Sequence, residues 1–478
     1  MKLFKIQNNY FVPWILTALV LLTLQPFLDI VVALVSFFLF FLLAKNKKEL
    51  IFIFVIISSL VLTTTISPTL RVIIQILDYS LLIFVFLKQY QFQIHEFPRP
   101  PREIVTYLLL LLSLMVMSSI HSSHIILGFE QIGRTILFFF LVYLLYALIN
   151  DENEIKVYLV ALFIVALIYM FFLIYEFARF DFNLLALNLN GFDESGSAYI
   201  HKNALGSFFV MTILLLLSFS FNKDYVHIRK WFFLLISFFM LGLVITNARG
   251  AIMALFAGIV FLIYVLNKKY LKYLVGVLLV LGVLFILLPF QEYIDLYFRF
   301  EKISTGRDFI LSSTWNVIRD NWIFGTGPAA TRFEMYKTMP YMFGSSAELF
   351  LRHHFYQIEF GHAHNFYLFF FSDLGILGFL LSLVLPVLFL KISFKTISIL
   401  HNEKKGLYYL SIGIAAFGIS MFVRATIEWA GLISYGTIGY DLPFWLLFSI
   451  QLLLYQNCIG RRNKSVTIPK TKWESIKG

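Results

Sequence analysis

Between Lys230 and Lys268 the chain reads WFFLLISFFMLGLVITNARGAIMALFAGIVFLIYVLN, and Arg249 is the only charged residue in it. A bilayer core about 30 Å thick takes about 20 helical residues to cross, because lipid cannot satisfy open backbone groups. The stretch therefore reads as two membrane-crossing helices joined by a turn, with Arg249 at the turn. Working outward, runs of this kind recur about fourteen times, centred near residues 17, 35, 58, 79, 112, 140, 165, 212, 239, 258, 280, 380, 416 and 449. The first two are short enough to form a re-entrant pair, so about twelve crossings fit as well. The expected fold is an all-α polytopic membrane protein of about 12–14 transmembrane helices with one large helical loop outside the membrane.

Composition points the same way. Of 478 residues, 60% are apolar, 56 are Phe and only 14% are charged, against roughly 25% charged in soluble domains. So little polar surface could not cover a water-soluble fold, which excludes a soluble enzyme and a disordered chain. The formal charge of +11 reads as basic loops on the cytoplasmic side of a membrane, not as a nucleic-acid surface. Cys458 is the single cysteine, so no intramolecular disulfide and no thiolate metal site is expected. The opening Met1-Lys-Leu-Phe-Lys5 leads into an apolar run like that of a signal peptide. A second run, Phe27 to Leu43, follows beyond Gln25-Pro26 with no small-residue cleavage pattern between them. The first run is therefore expected to stay as an anchor.

Basic residues set the orientation. With a cytoplasmic N-terminus, the inner segments and the tail collect 25 of the 38 Lys and Arg, among them Lys45, Lys47 and Lys48, Lys268, Lys269 and Lys272, and Arg461 and Arg462. An even number of crossings puts the C-terminus on the same side. The expected divisions are transmembrane helices over 1–289, an outer loop over 290–364, further transmembrane helices over 365–460 and a cytoplasmic tail over 461–478. In the long loop, Leu311, Trp315, Ile318 and Trp322 fall on one helical face, suited to the bilayer surface or to the other helices. Gly325-Thr-Gly-Pro328 then ends that helix.

A few residues could carry chemistry. Arg249 is either an arginine snorkelling to lipid phosphate or a ligand for an anion, and its small neighbours Ala248, Gly250 and Ala251 would let a ligand approach. His364-Asn365 opens an apolar helix, where a neutral imidazole can accept a proton from a hydroxyl or can simply serve the structure. Gly375 and Gly378 read as close helix packing. Arg424 and Glu428 read as an i, i+4 ion pair. His201-Lys-Asn203 could be a cap or a substrate contact. No metal is expected: His353-His354 and His362-x-His364 with Glu359 match no zinc pattern, and no Asp-x-Asp pair occurs. A bound diphosphate would have to be met by Arg249, Arg307 or Arg134, with Lys202 more distant.

Three pieces in order then carry a family likeness. They are Ala248-Arg249-Gly250-Ala251 between two crossings, Gly306-Arg307-Asp308 with Gly325-Thr-Gly-Pro328 in the loop, and His364-Asn365 followed after nine residues by Gly375 and then Gly378. Together they resemble the O-antigen ligase and O-antigen polymerase superfamily of bacterial membrane glycosyltransferases, over roughly Ala198 to Leu390. The resemblance implies transfer of a glycan from undecaprenyl diphosphate, on the periplasmic face of the inner membrane, without cofactor or metal. By that similarity Arg249 and Arg307 bind the donor diphosphate and stabilise it as leaving group, and His364 positions or deprotonates the acceptor hydroxyl. Arg134, Lys202 and Asn365 are further candidates for substrate binding. The implied acceptor is lipid A-core for a ligase, or a second lipid-linked glycan for a polymerase. A secondary transporter is the rival from another class, but transporters usually show two similar halves with charges near mid-membrane, and neither is evident here.

Overall fold

A computed structural model describes residues 48–62, 68–90, 93, 97–184, 187, 202–273, 276, 307–338, 363–402 and 406–466. All regular structure among them is helical. In chain order the helices are α1 (Lys48–Ile57), α2 (Pro68–Tyr90), α3 (Arg102–His121), α4 (Ile125–Ala147), α5 (Glu152–Arg179), α6 (Lys202–Ser220) and α7 (Arg229–Thr246). They continue with α8 (Arg249–Leu266), α9 (Arg307–Asp320), α10 (Thr331–Thr338), α11 (Phe366–Leu400), α12 (Gly406–Arg424) and α13 (Ile438–Val466). Among the described residues ten helices are long and apolar enough to cross a membrane, at the expected runs near 79, 112, 140, 165, 212, 239, 258, 380, 416 and 449. The run near 58 is α1 continued by a π-helical turn, Ser58–Leu62. The runs near 17, 35 and 280 lie outside the described residues, as do His353, His354, Glu359 and His362.

The chain divides into two compact units. The first comprises Met1–Pro98, Tyr143–Ile168 and Gly196–Tyr199. Its core sets Phe52 against Tyr158, ring centroids 5.2 Å apart, and buries Asp78 under Ser58 and Ser59, whose hydroxyls donate at 2.7 and 3.0 Å. Lys48 pairs with Glu154.

The second unit holds Arg99–Val142, Tyr169–Ser195 and Ile200–Gly478. Here α8 lies along α12, and α6 fills the angle between α7, α8 and α12. Small residues permit this approach: a Cβ at Gly206 would fall 2.7 and 2.9 Å from the Cβ atoms of Ala251 and Ala248. Helix α9 packs on α10 and α11. The stripe expected on α9 is graded across its width. Ile318 is buried with Ile310, Thr314 and Val317, whereas Leu311 and Trp315 are exposed, and the helix ends at Asp320, before Trp322.

Helix α11 departs from the uninterrupted helix expected after His364. Gly375, at φ 71° and ψ −165°, breaks it into 366–374 and 376–400. Tyr367 donates to the Phe422 carbonyl at 3.3 Å, and the Phe389 ring lies 5.4 Å from the Phe422 ring. In a straight helix residues 367 and 389 would be about 33 Å apart, beyond the reach of two side chains meeting at one residue, so the halves bend sharply. The break opens carbonyls that a helix would satisfy, and the loop before α10 takes their place. Thr326 N donates to Ser372 O at 2.9 Å, Gly327 N to Asp373 O at 3.0 Å, and Ile376 N turns to Trp322 O at 2.9 Å. Gly325-Thr-Gly-Pro328, expected to end α9, instead follows its end at Asp320 and is the piece that seals the break in α11. Close packing at Gly378 is the inner side of the same bend, since a Cβ there would lie 2.7 Å from Phe370 O.

Gly375→Ala is expected to destabilise the protein by about 1–3 kcal/mol through its backbone alone, a conformation open essentially to Gly, and further because the new Cβ would strike the Ile323 carbonyl. Thermal unfolding in detergent micelles measures this, and an unchanged midpoint would refute it.

Candidate active site

Five segments meet beyond the end of α12. Asn247, in the left-handed conformation (φ 46°), closes α7 and turns the chain so that Arg249 opens α8. The next residue, Gly250, lies against the turn after α12: a Cβ there would sit 3.0 Å from Ile427 Cδ1 and 3.9 Å from Glu428 Cγ. From another direction comes the start of α11. Phe366 N donates to Ala425 O at 2.8 Å. Asn365 caps the helix, its Oδ1 accepting from Tyr367 N and Leu368 N at 3.0 Å each, while its Nδ2 donates to Thr426 O at 2.8 Å. With its side chain held this way, Asn365 sets the height and direction of His364. His364 itself is left-handed (φ 45°), and its Nδ1 lies 3.8 Å from Glu428 Oε2.

Glu428 is the centre of the cluster. Its side chain is 6% exposed, and Oε1 accepts from Asn203 Nδ2 at 2.7 Å, where Lys202 and Asn203 begin α6. Arg424, buried at the end of α12, donates to Ala430 O at 2.8 Å and to Asn203 O at 3.3 Å. It thereby ties the 425–430 turn to α6. His364 and Asn203 are therefore brought to one carboxylate, and the Arg249 turn and Asn365 lie against the same 425–430 segment; the sequence reading had placed that carboxylate in a helical ion pair.

The loop from Gly431 to Thr437 is fixed from below. Asp441 accepts from Gly431 N at 3.0 Å and from Ser434 N at 2.6 Å, and Trp445 donates to Leu432 O at 2.6 Å. Tyr435 donates to Asp373 Oδ2 at 3.0 Å. Burial, with Asp373 beside it, pushes the Tyr435 hydroxyl well above its ordinary range, so it stays a donor. Asp373 also accepts from Ala329 N at 2.8 Å and from the Thr331 hydroxyl. One buried carboxylate thus binds the loop before α10, the broken helix that follows His364, and the loop that follows Glu428.

Arg307 is the first residue of α9. That helix runs in the same sense as α11: Trp315 meets Phe371 at 6.4 Å, and further on Trp322 O meets Ile376 N. Counting back from that contact, Arg307 lies about 12 Å before Trp315 and His364 about 10 Å before Phe371 along their helices, so α9 starts toward the His364 end. Arg134 stands apart. Its guanidinium is 3.9 Å from Glu130, and its backbone and Cβ abut the loop, under Gly436. Among the described residues no group of three His, Cys, Asp or Glu is placed to hold a metal ion.

Residues 231–383 match the family described as O-Antigen ligase. Over these residues the chain is similar to that family. The match covers about a third of the chain and takes in α7, α8, the long loop and the start of α11, hence Arg249, Arg307, His364 and Gly375. No curated protein matches the chain. The apolar helices described above are those of a multi-pass membrane protein. Glu428 and Asn203 lie outside the matched residues. The sequence offered Glu428 only as the partner of Arg424 and Asn203 only within a possible cap or substrate contact, and their meeting becomes legible when α6, α8, α11 and α12 are assembled.

Proposed function

We propose that this chain is a member of the O-antigen ligase superfamily and transfers an oligo- or polysaccharide from undecaprenyl diphosphate to a hydroxyl of lipid A-core, on the periplasmic face of the inner membrane. The observation that carries the reading is the meeting of His364, Asn203 and the Arg249 turn around Glu428. In the reaction the acceptor oxygen attacks the anomeric carbon, the bond from that carbon to the diphosphate oxygen breaks, and the hydroxyl proton passes to His364. Glu428, 3.8 Å from the ring, orients the imidazole and balances the positive charge it gains. The leaving diphosphate gains negative charge. Arg249 and Arg307 are the groups that stabilise it, because guanidinium charge acts most strongly where water is excluded; Lys202 begins α6 beside Asn203.

The basic residues support the orientation. Lys223, Arg229, Lys230, Lys268 and Lys269 cluster at the ends of α6, α7 and α8 away from Glu428, as the excess of Lys and Arg on cytoplasmic loops requires. Both termini are then cytoplasmic.

Deleting the gene and profiling the cell's glycolipids tests the function. The expected result is bare core, with polymer stranded on its carrier; core capped by single repeats would mark a polymerase instead. Returning the gene with Glu428→Gln, which keeps the acceptor for Asn203 but removes the charge, should restore ligation about 10- to 100-fold less efficiently, the usual effect of losing a group that orients a functional imidazole. Full complementation would remove Glu428 from the mechanism.

A further inference from the structure

Helix α9 has an apolar edge that no described residue covers. Leu311 and Trp315 are 44% and 57% exposed, and Trp322 and Ile323, just past the end of the helix, are about half exposed. The opposite side of α9 is packed through Ile310, Val317 and Ile318. Arg319 is exposed beside this edge and 3.5 Å from Asp320, so the outer surface passes from apolar to charged within one turn.

The position of this edge says what covers it. Trp322 O holds Ile376 N at 2.9 Å, at the first residue after the break in α11. From there Leu377, Leu380 and further exposed apolar residues line the outer side of residues 376–400, part of Phe366–Leu400, which is long and apolar enough to cross the membrane. Trp315 reaches the same strip through Phe371, at 6.4 Å, and Phe371 through Phe379, at 5.3 Å. The edge of α9 and the lipid-facing side of α11 are one surface. Tryptophan favours the level where headgroups meet acyl chains, and a helix apolar along one edge and charged along the next lies in that boundary.

We infer that α9 is seated in the bilayer, with the Leu311–Trp315–Trp322 edge in the headgroup–acyl boundary of the leaflet at the site end and Arg319 at the level of the lipid phosphates. The loop is then an arm resting on the membrane, and Arg307, at its start, is carried at the height where a lipid-borne diphosphate lies. Only this last consequence depends on the proposed function.

The test needs neither donor nor acceptor. In full-length protein with Cys458→Ser, a nitroxide label is placed by Trp315→Cys, by Leu311→Cys or by Arg319→Cys, and the protein is reconstituted in phosphatidylglycerol–phosphatidylethanolamine vesicles. Power saturation compares collisions with oxygen, which partitions into lipid, and with a nickel chelate, which stays in water. The oxygen-to-nickel ratio is expected to be several-fold higher at 311 and 315 than at 319. Equal ratios at all three positions would place α9 in water and overturn the inference. So would a label at 315 closed to both reagents, because the edge would then be covered by protein, from this chain or a second copy. Absence of transfer by the unlabelled protein, with the depth pattern intact in the labelled ones, would count against the glycosyl-transfer reading and leave the seat in the bilayer standing.

Discussion

Replacing His364 with alanine is expected to slow glycan transfer about 10²- to 10⁴-fold, the usual contribution of a positioned general base. Alanine removes the only group the proposed mechanism offers to the acceptor proton, and it leaves the arginines and the membrane helices in place. Backbone strain is a competing cause, because residue 364 is left-handed (φ 45°) and alanine adopts that region less readily than histidine or asparagine. His364→Asn separates the two effects. Asparagine accepts the backbone conformation but is no base near neutral pH. Both variants should lose turnover alike in vesicles containing lipid-linked donor and acceptor, with unchanged helical content and size-exclusion profile. An asparagine variant that turns over at the parent rate would show that the imidazole does no chemistry.

Asp373→Ala should cost about 2–5 kcal/mol of stability. The carboxylate accepts from Ala329 N, Tyr435 OH and the Thr331 hydroxyl in a fully buried site. Deleting it removes the acceptor of Ala329 N and of Tyr435 OH, each worth about 1–3 kcal/mol before relaxation, and leaves the Thr331 hydroxyl with Thr326 alone. Asp373→Asn should be milder, since its amide oxygen still accepts and its NH2 can donate to the Thr331 oxygen. The midpoint of thermal unfolding in micelles orders the three proteins, with wild type highest and alanine lowest. The same alanine variant should fail to complement the deletion strain, because Asp373 joins the loop after α9, the helix after His364 and the loop after Glu428. An alanine variant as stable as the parent would mean that these loops are held by other contacts.

The crossings were legible because a long apolar run has only one economical structure in lipid, and ten of the expected runs are helices. Arg249 and His364 stood out because a charge or an imidazole at the end of such a run is costly without a purpose. Glu428 was read as half of a local pair, since one-dimensional spacing favours i, i+4 partners. Its contacts to Asn203 and His364 span 225 and 64 positions and arise only from helix packing. The break at Gly375 was hidden for a different reason. The residues on either side are as apolar as those of an unbroken helix, and the hydrogen bonds that replace the helical ones come from a loop some fifty positions earlier. Asp373 followed from neither pattern nor motif, because its role lies in donors from three separate loops.

The seam at Gly375 is stitched by amide hydrogens and carbonyl oxygens, which every amino acid except proline supplies alike. Mutational drift can therefore rewrite Trp322, Thr326, Ser372 or Ile376 without undoing those stitches, but it cannot add a methyl group at 325 or 375, where neighbouring main chain already fills the space. Selection acting on this junction would leave a sparse trace, a few glycines at fixed spacing in otherwise freely changing text.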